Sequence, residues 1–180
     1  MIYSVWVGED MIEDYRNRKQ KYTLDGAPIF TTKEDQEKES VAAALLEKEW
    51  DCELNHLGIY SPVDWWANRH GQPVGWVEIK SRAYSGNEKY KTELLNVRKW
   101  LSMSILNATT DLPAIFVSDV SHKGSEERVV RWIPVSQIDA NSKNWRIIKP
   151  KGGIVKSRND REPCILVPHG AMKEITQEEK

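Results

Sequence analysis

Cysteine is nearly absent from this chain: Cys52 and Cys164 are the two thiols in 180 residues. Two thiols so far apart exclude a disulfide framework and a Cys-based zinc site, and they fit a reducing cytoplasm. Charge of one sign is also missing. The 26 Lys and Arg nearly balance 27 Asp and Glu, for a formal net charge of −1. That balance argues against a strongly basic, nonspecific DNA binder, although local basic patches can still hold phosphates. No hydrophobic run approaches the length of a membrane span, and the N-terminus lacks a signal-peptide pattern. The expectation is therefore a cytoplasmic protein with no membrane partner. The histidines, His56, His70, His122 and His169, are scattered without metal-ligand spacing. No internal repeat is visible.

What the chain does have is charge, tryptophan and enough apolar residues for a core. Its length suits one α/β domain over residues 1–180. The core is expected at about 34–135, after an N-terminal strand and basic segment over 1–33. A C-terminal extension covers 140–180. Within these bounds, residues 2–7 read as a strand and 34–50 as a Glu-, Lys-, Ala- and Leu-rich helix. Two strands follow, then a loop over 83–91. A second helix is expected at about 92–107, with Leu94, Val97, Leu101 and Ile105 as its apolar face. Strands are expected at 114–120 and 128–135, with shorter pieces at 145–149 and 164–167, and residues 173–180 read as frayed.

The most informative segment is a hairpin. Ser61–Ala67 and Val74–Lys80 are strand-like runs around the turn-rich Asn68-Arg69-His70-Gly71-Gln72-Pro73. A hairpin centred on Gly71 sets Asp64 opposite Glu78, and Trp66 opposite Trp76 on the same side of the sheet. Opposed residues have Cβ atoms roughly 4.5–5.5 Å apart. Two carboxylates that close repel unless a cation lies between them or one is protonated. Lys80, two residues after Glu78, points to the same face. An acidic pair beside a lysine suits a metal site for phosphodiester hydrolysis.

Asp64 together with Glu78-Ile79-Lys80, in this order of elements, resembles the PD-(D/E)XK nuclease superfamily. The resemblance covers about residues 34–135. It departs from the superfamily pattern in that Val63 precedes Asp64 and the nearest proline, Pro62, is one place early. It implies a restriction-endonuclease-like core, a mixed central β-sheet flanked by helices with the element order α-β-β-α-β-β. It also implies a metal-dependent nuclease that cuts DNA, with endonuclease the expected mode, and is most like phage-encoded members. An idle nucleic-acid-binding or assembly module with the same fold is the alternative. The intact Asp64, Glu78 and Lys80 set argues against it.

Within that resemblance, Asp64 and Glu78 would bind Mg²⁺, with Mn²⁺ as substitute. The Ile79 carbonyl would add an oxygen ligand, and Lys80 would orient or deprotonate the attacking water. Glu39 is expected as a third acid, because it shares a helix face with Ala43, Leu46 and Trp50; Glu37 is its rival. Arg82, Tyr84, Lys89 and Lys91 mix aromatic and basic character in and beside the 83–91 loop, which suits a nucleic-acid groove. Lys99 is expected on the second helix away from its apolar face. In some relatives a polar residue of this helix reaches the active site, so the resemblance makes Lys99 a candidate there. Lys99, with Arg16, Arg18 and Lys19 near the N-terminus, is also a candidate for contact with DNA. A homodimer is compatible with these features.

Overall fold

The computed structural model describes residues 21–22, 28–29, 33–57, 61–84, 91–122, 128–148 and 162–176. The expected strand at 2–7 and the cluster Arg16, Arg18 and Lys19 lie outside them, as does Lys89. The chain divides into two compact units, Met1–Gln36 and Glu37–Lys180. In the first unit, β1 (Lys21–Tyr22) pairs antiparallel with β2 (Pro28–Ile29).

Helix α1 (Lys33–Trp50) forms where Ala, Leu, Glu and Lys dominate, all good helix formers. Its later turns bury Ala42, Ala43 and Leu46. Asp51 ends it with a positive φ of 50°. Arg69 ties off that end, donating from Nε to the Asp51 carbonyl at 2.9 Å and from a terminal nitrogen to the Trp50 carbonyl at 2.6 Å. β3 (Glu53–His56) follows, a strand the sequence reading treats as connection.

The central hairpin pairs β4 (Trp65–Arg69) with β5 (Gln72–Tyr84). His70 and Gly71 form a two-residue turn with φ of 52° and 76°, the paired positive values of a type I′ connection. Trp66 faces Trp76 and Trp65 faces Val77, as expected. The hairpin is longer toward the turn than expected, and Ser61–Asp64 bends rather than extending. The ladder is irregular at one point: Ala67 pairs with Gly75 but Asn68 with Pro73, which leaves Val74 without a partner on β4.

The expected helix at 92–107 resolves into two elements. β6 (Thr92–Asn96) comes first, with alternate residues buried, and α2 (Val97–Thr110) follows. Asn96 is the cap; its Oδ1 accepts from the Arg98 amide at 2.8 Å. The apolar face is also corrected. Leu94 lies in the strand, and Leu101 and Ile105 are 48% and 61% exposed. Val97 and Met103 are buried instead, with Trp100 and Leu106 packed beside them.

From α2 the chain enters β7 (Ala114–His122), parallel to β5, and β8 (Arg128–Pro134), antiparallel to β7. Gly75 permits the close start of β7: a Cβ there would lie 3.1 Å from the Pro113 carbonyl oxygen. That carbonyl accepts from the Trp76 amide at 2.9 Å. β9 (Trp145–Ile148), β10 (Glu162–Pro168) and β11 (Lys173–Thr176) complete the described elements. Residues 173–176, expected to fray, pair with β8 at the sheet edge.

The main sheet has the order β11-β8-β7-β5-β4-β3, mixed because β5 and β7 are parallel. A smaller sheet has the order β6-β10-β9. Side-chain alternation sorts the core into two layers. Val77, Ile79 and Val117 pack with Ala42 and Leu46 of α1 on one face. Phe116 and Ile133 pack with Met103 of α2 and Leu95 and Ile165 of the smaller sheet on the other. This is the expected α/β architecture of a mixed central sheet flanked by helices, with β3, β6 and β11 added to the expected order.

Candidate active site

Glu78 lies on the α2 side of β5, between Val77 and Ile79 of the α1 side, because successive strand residues alternate. Asp64 immediately precedes Trp65, whose partner is Val77, so the register carries Asp64 toward Glu78. The two carboxylates converge on one cation. Lys99 Nζ of α2 donates to Asp64 Oδ1 at 3.1 Å and to Glu78 Oε2 at 2.9 Å. Two of the three ammonium protons are thus committed to the acidic pair.

Burial separates the two acids. The Asp64 side chain is 29% exposed and that of Glu78 7%. Burial pushes the Glu78 carboxyl up to about 8, the Asp64 charge adds to the rise, and Lys99 opposes it without reversing it. For Lys99, burial alone would push the ammonium down. The Glu78 and Asp64 carboxylates outweigh it, so its pKa is raised. The sequence leads one to expect repulsion within an acid pair; the structure answers that with a lysine from the neighbouring helix.

Lys80 sits two residues beyond Glu78 on the same side of β5. It is exposed and takes no part in the Asp64–Lys99–Glu78 bridge. Ile79 is 2% exposed, its side chain in the layer under α1. Glu39 does not join the pair: among the described residues no group of three or more His, Cys, Asp or Glu gathers as a metal-binding cluster. The physical reason is that α1 packs on the sheet face opposite Glu78, so its apolar stripe leads Glu39 away from the two acids. Sharing a face with Ala43 and Leu46 was a correct reading, but it points to the other layer.

Arg82, the next residue on the Glu78 side of β5, is tied to β6. It donates to the Leu94 carbonyl at 3.3 Å and lies 3.7 Å from Glu93 Oε2. Glu93 is 1% exposed, and His169 Nε2 lies 3.1 Å from its Oε1. This buried carboxylate was missed because residue 93 was read as helix surface. Lys91 is exposed, and its carbonyl accepts from the His169 amide at 3.0 Å. Trp76 flanks the site from the turn side, its Nε1 donating to Thr110 Oγ1 at 2.9 Å.

Lys99 reaches the acidic pair, as the resemblance suggests, but from a helix face other than the one expected. Reading Leu101 and Ile105 as the buried stripe put Lys99 on the flank. With Met103 buried, Lys99 lies one turn before it on the inward face. The Asn96 cap followed by Val97, Trp100 and Met103 was the available signal.

The donor set fits a hard divalent cation. Both acids offer oxygen, both reach a single point, and the ammonium already stands there as a cation. Asp64 and Glu78 would be the residues that hold it.

The family model described as "Phage putative PDDEXK endonuclease" matches residues 26–171. Among solved structures, the chain is similar to the Holliday junction resolvase Hjc of the archaeal hyperthermophile Archaeoglobus fulgidus. The sequence identity is 11%, over 77% of this chain and 92% of that one, with a TM-score of 0.41. No curated protein matches. With the family model spanning most of its length, this chain belongs to the phage PDDEXK endonuclease family.

Proposed function

We propose that the chain is a Mg²⁺-dependent endonuclease that hydrolyses DNA phosphodiester bonds, with Mn²⁺ as a substitute. One observation carries this reading: Asp64 Oδ1 and Glu78 Oε2 meet on a single cationic atom, at 3.1 and 2.9 Å. When bound there, the metal ion supplies polarisation of a phosphoryl oxygen and a lowered pKa for water. The chain's own groups do the rest. Asp64 and Glu78 would hold the cation, and the Ile79 carbonyl would add an oxygen. Lys80 faces solvent on the same side of β5, where its ammonium orients the attacking water and offsets charge that develops on the phosphorane oxygens. The water oxygen attacks phosphorus, the bond to the leaving sugar oxygen breaks, and that oxygen takes a proton.

Arg82 lies on the Glu78 side of β5, and with Tyr84, Lys89 and Lys91 it makes the proposed path for the DNA backbone. Arg16, Arg18 and Lys19 are proposed as further phosphate contacts. We further propose that the protein works in the host cytoplasm and that two copies can pair on DNA. No helix among the described residues is long and apolar enough to cross a membrane.

The test is cleavage of linear, flapped and branched DNA with Mg²⁺ or Mn²⁺, comparing wild type with Asp64→Asn and Lys80→Ala. Cleavage by wild type and its loss in both variants, with folding intact, supports the reading. Wild-type rates in both variants would remove this site as the source of activity.

A further inference from the structure

We propose that Lys99 is a built-in competitor for the divalent cation: its ammonium fills the cation position between Asp64 and Glu78, and a metal ion must displace it to enter. This rests on the nuclease reading of the same site and adds a control on when that site loads.

The geometry makes the competition direct. The two oxygens that would hold a metal are the two that Lys99 Nζ contacts, at 3.1 and 2.9 Å. An ammonium and a divalent ion cannot share those oxygens, because their like charges would lie within a few ångströms in a half-buried cleft. Lys99 also has somewhere to go. Its side chain is 28% exposed and ends a flexible four-carbon stem, so it can swing to solvent without unwinding α2.

The arrangement serves the protein at both ends of the exchange. Without a divalent ion, Lys99 bridges the two acids, one of which is almost wholly buried, so the site keeps its shape. With one, the ammonium is released toward solvent. Competition of this kind is reciprocal: whatever favours the Lys99 bridge raises the metal concentration needed for loading. Lys80, exposed and outside the bridge, has no such effect. The two lysines of the site therefore divide the work, one facing substrate and one guarding the metal position.

Two measurements without DNA decide this. The first labels wild-type lysines with an amine acylating reagent and maps the sites by mass spectrometry. Mn²⁺ should raise Lys99 labelling several-fold and leave exposed Lys143 unchanged. Saturating Mn²⁺ with Lys99 labelling unaltered would overturn the proposal, and this arm needs no variant to fold. The second titrates Mn²⁺ calorimetrically at one fixed pH into wild type, Lys99→Met and Asp64→Asn. Lys99→Met should bind about fivefold tighter or more, in the range typical of coupled sites, and Asp64→Asn should lose binding. Equal affinity in wild type and Lys99→Met overturns the competition but leaves the nuclease reading standing. No Mn²⁺ binding by either protein overturns both. Binding by Lys99→Met alone supports the competition in its strongest form.

Discussion

β5 shows two opposite uses of burial on neighbouring residues. Val77 and Ile79, 0% and 2% exposed, face α1 in a layer of hydrocarbon with Ala42, Leu46 and Val117. Glu78 between them is nearly as buried, at 6% exposed, but faces α2 with Asp64 and Lys99. Removing apolar surface from water stabilises the first layer. Removing a carboxylate from water costs free energy, which Lys99 only partly offsets. One face of the strand therefore holds the sheet together, and the other is kept under electrostatic tension that a divalent cation can relieve.

The comparison is broken most completely on the acidic side. Asp64→Asn or Glu78→Gln should lower metal-dependent DNA cleavage by ~100-fold or more, the scale of losing one electrostatic stabiliser in an active site. Circular dichroism should show an unchanged fold. On the apolar side, Ile79→Ala should cost about 2–4 kcal/mol of stability in urea unfolding, as for other buried aliphatic truncations. Cleavage by the folded protein should persist, because the acids and the backbone carbonyl remain. A loss of cleavage without a loss of stability would reverse the roles assigned to the two faces.

A smaller effect sharpens the electrostatic half. The Glu78 carboxyl is raised from 4.5 to about 8, so the native state holds this proton more tightly than the unfolded chain does. Its contribution to stability is complete below about pH 4.5 and is lost as pH rises toward 8. In EDTA, the Tm of wild type should fall across that window more steeply than that of Glu78→Gln. Parallel curves would mean that Glu78 does not carry the raised pKa. The smallest effect is on the outer surface of α2. Leu101→Ser or Ile105→Ser should change stability by about 0.5 kcal/mol or less, as surface substitutions do. Met103→Ala, by contrast, should cost about 2–5 kcal/mol. A large loss at Ile105 would show that this face is covered in solution.

The hairpin and its two acids were legible because alternation has a period of two and the turn residues are unambiguous. Trp65, Ala67, Val77 and Ile79 all had to share a face, so Asp64 and Glu78 had to share the other. The break between β6 and α2 was less legible. Leu94 and Val97, three apart, mimic helical spacing, while the strand signal in Thr92–Asn96 spans five residues. Counting Leu94 into the helix drew the expected apolar stripe along Leu101 and Ile105, which set Lys99 off the buried face. Glu39 illustrates another limit. A sequence pattern shows that a helix face is buried, but not which of two sheet faces buries it. The short edge strands β3 and β11 owe their existence to neighbours on the sheet, and they carry little pattern of their own.

The unpaired Val74 has a consequence for the chemistry. The turn at His70 and Gly71 by itself aligns Arg69 with Gln72 and Asn68 with Pro73. Continued without interruption, that alignment would set Asp64 against Val77, inside the hydrocarbon layer beneath α1. The extra residue moves the ladder by one, so that Trp65 meets Val77 and Asp64 comes level with Glu78. Deleting Val74 would remove the bulge and keep the two acids opposed, whereas pairing the intact strand without a bulge would part them although every acid and every lysine remained. The meeting of Asp64 and Glu78 depends on this one-residue offset, and a search that counts functional residues alone would not see it.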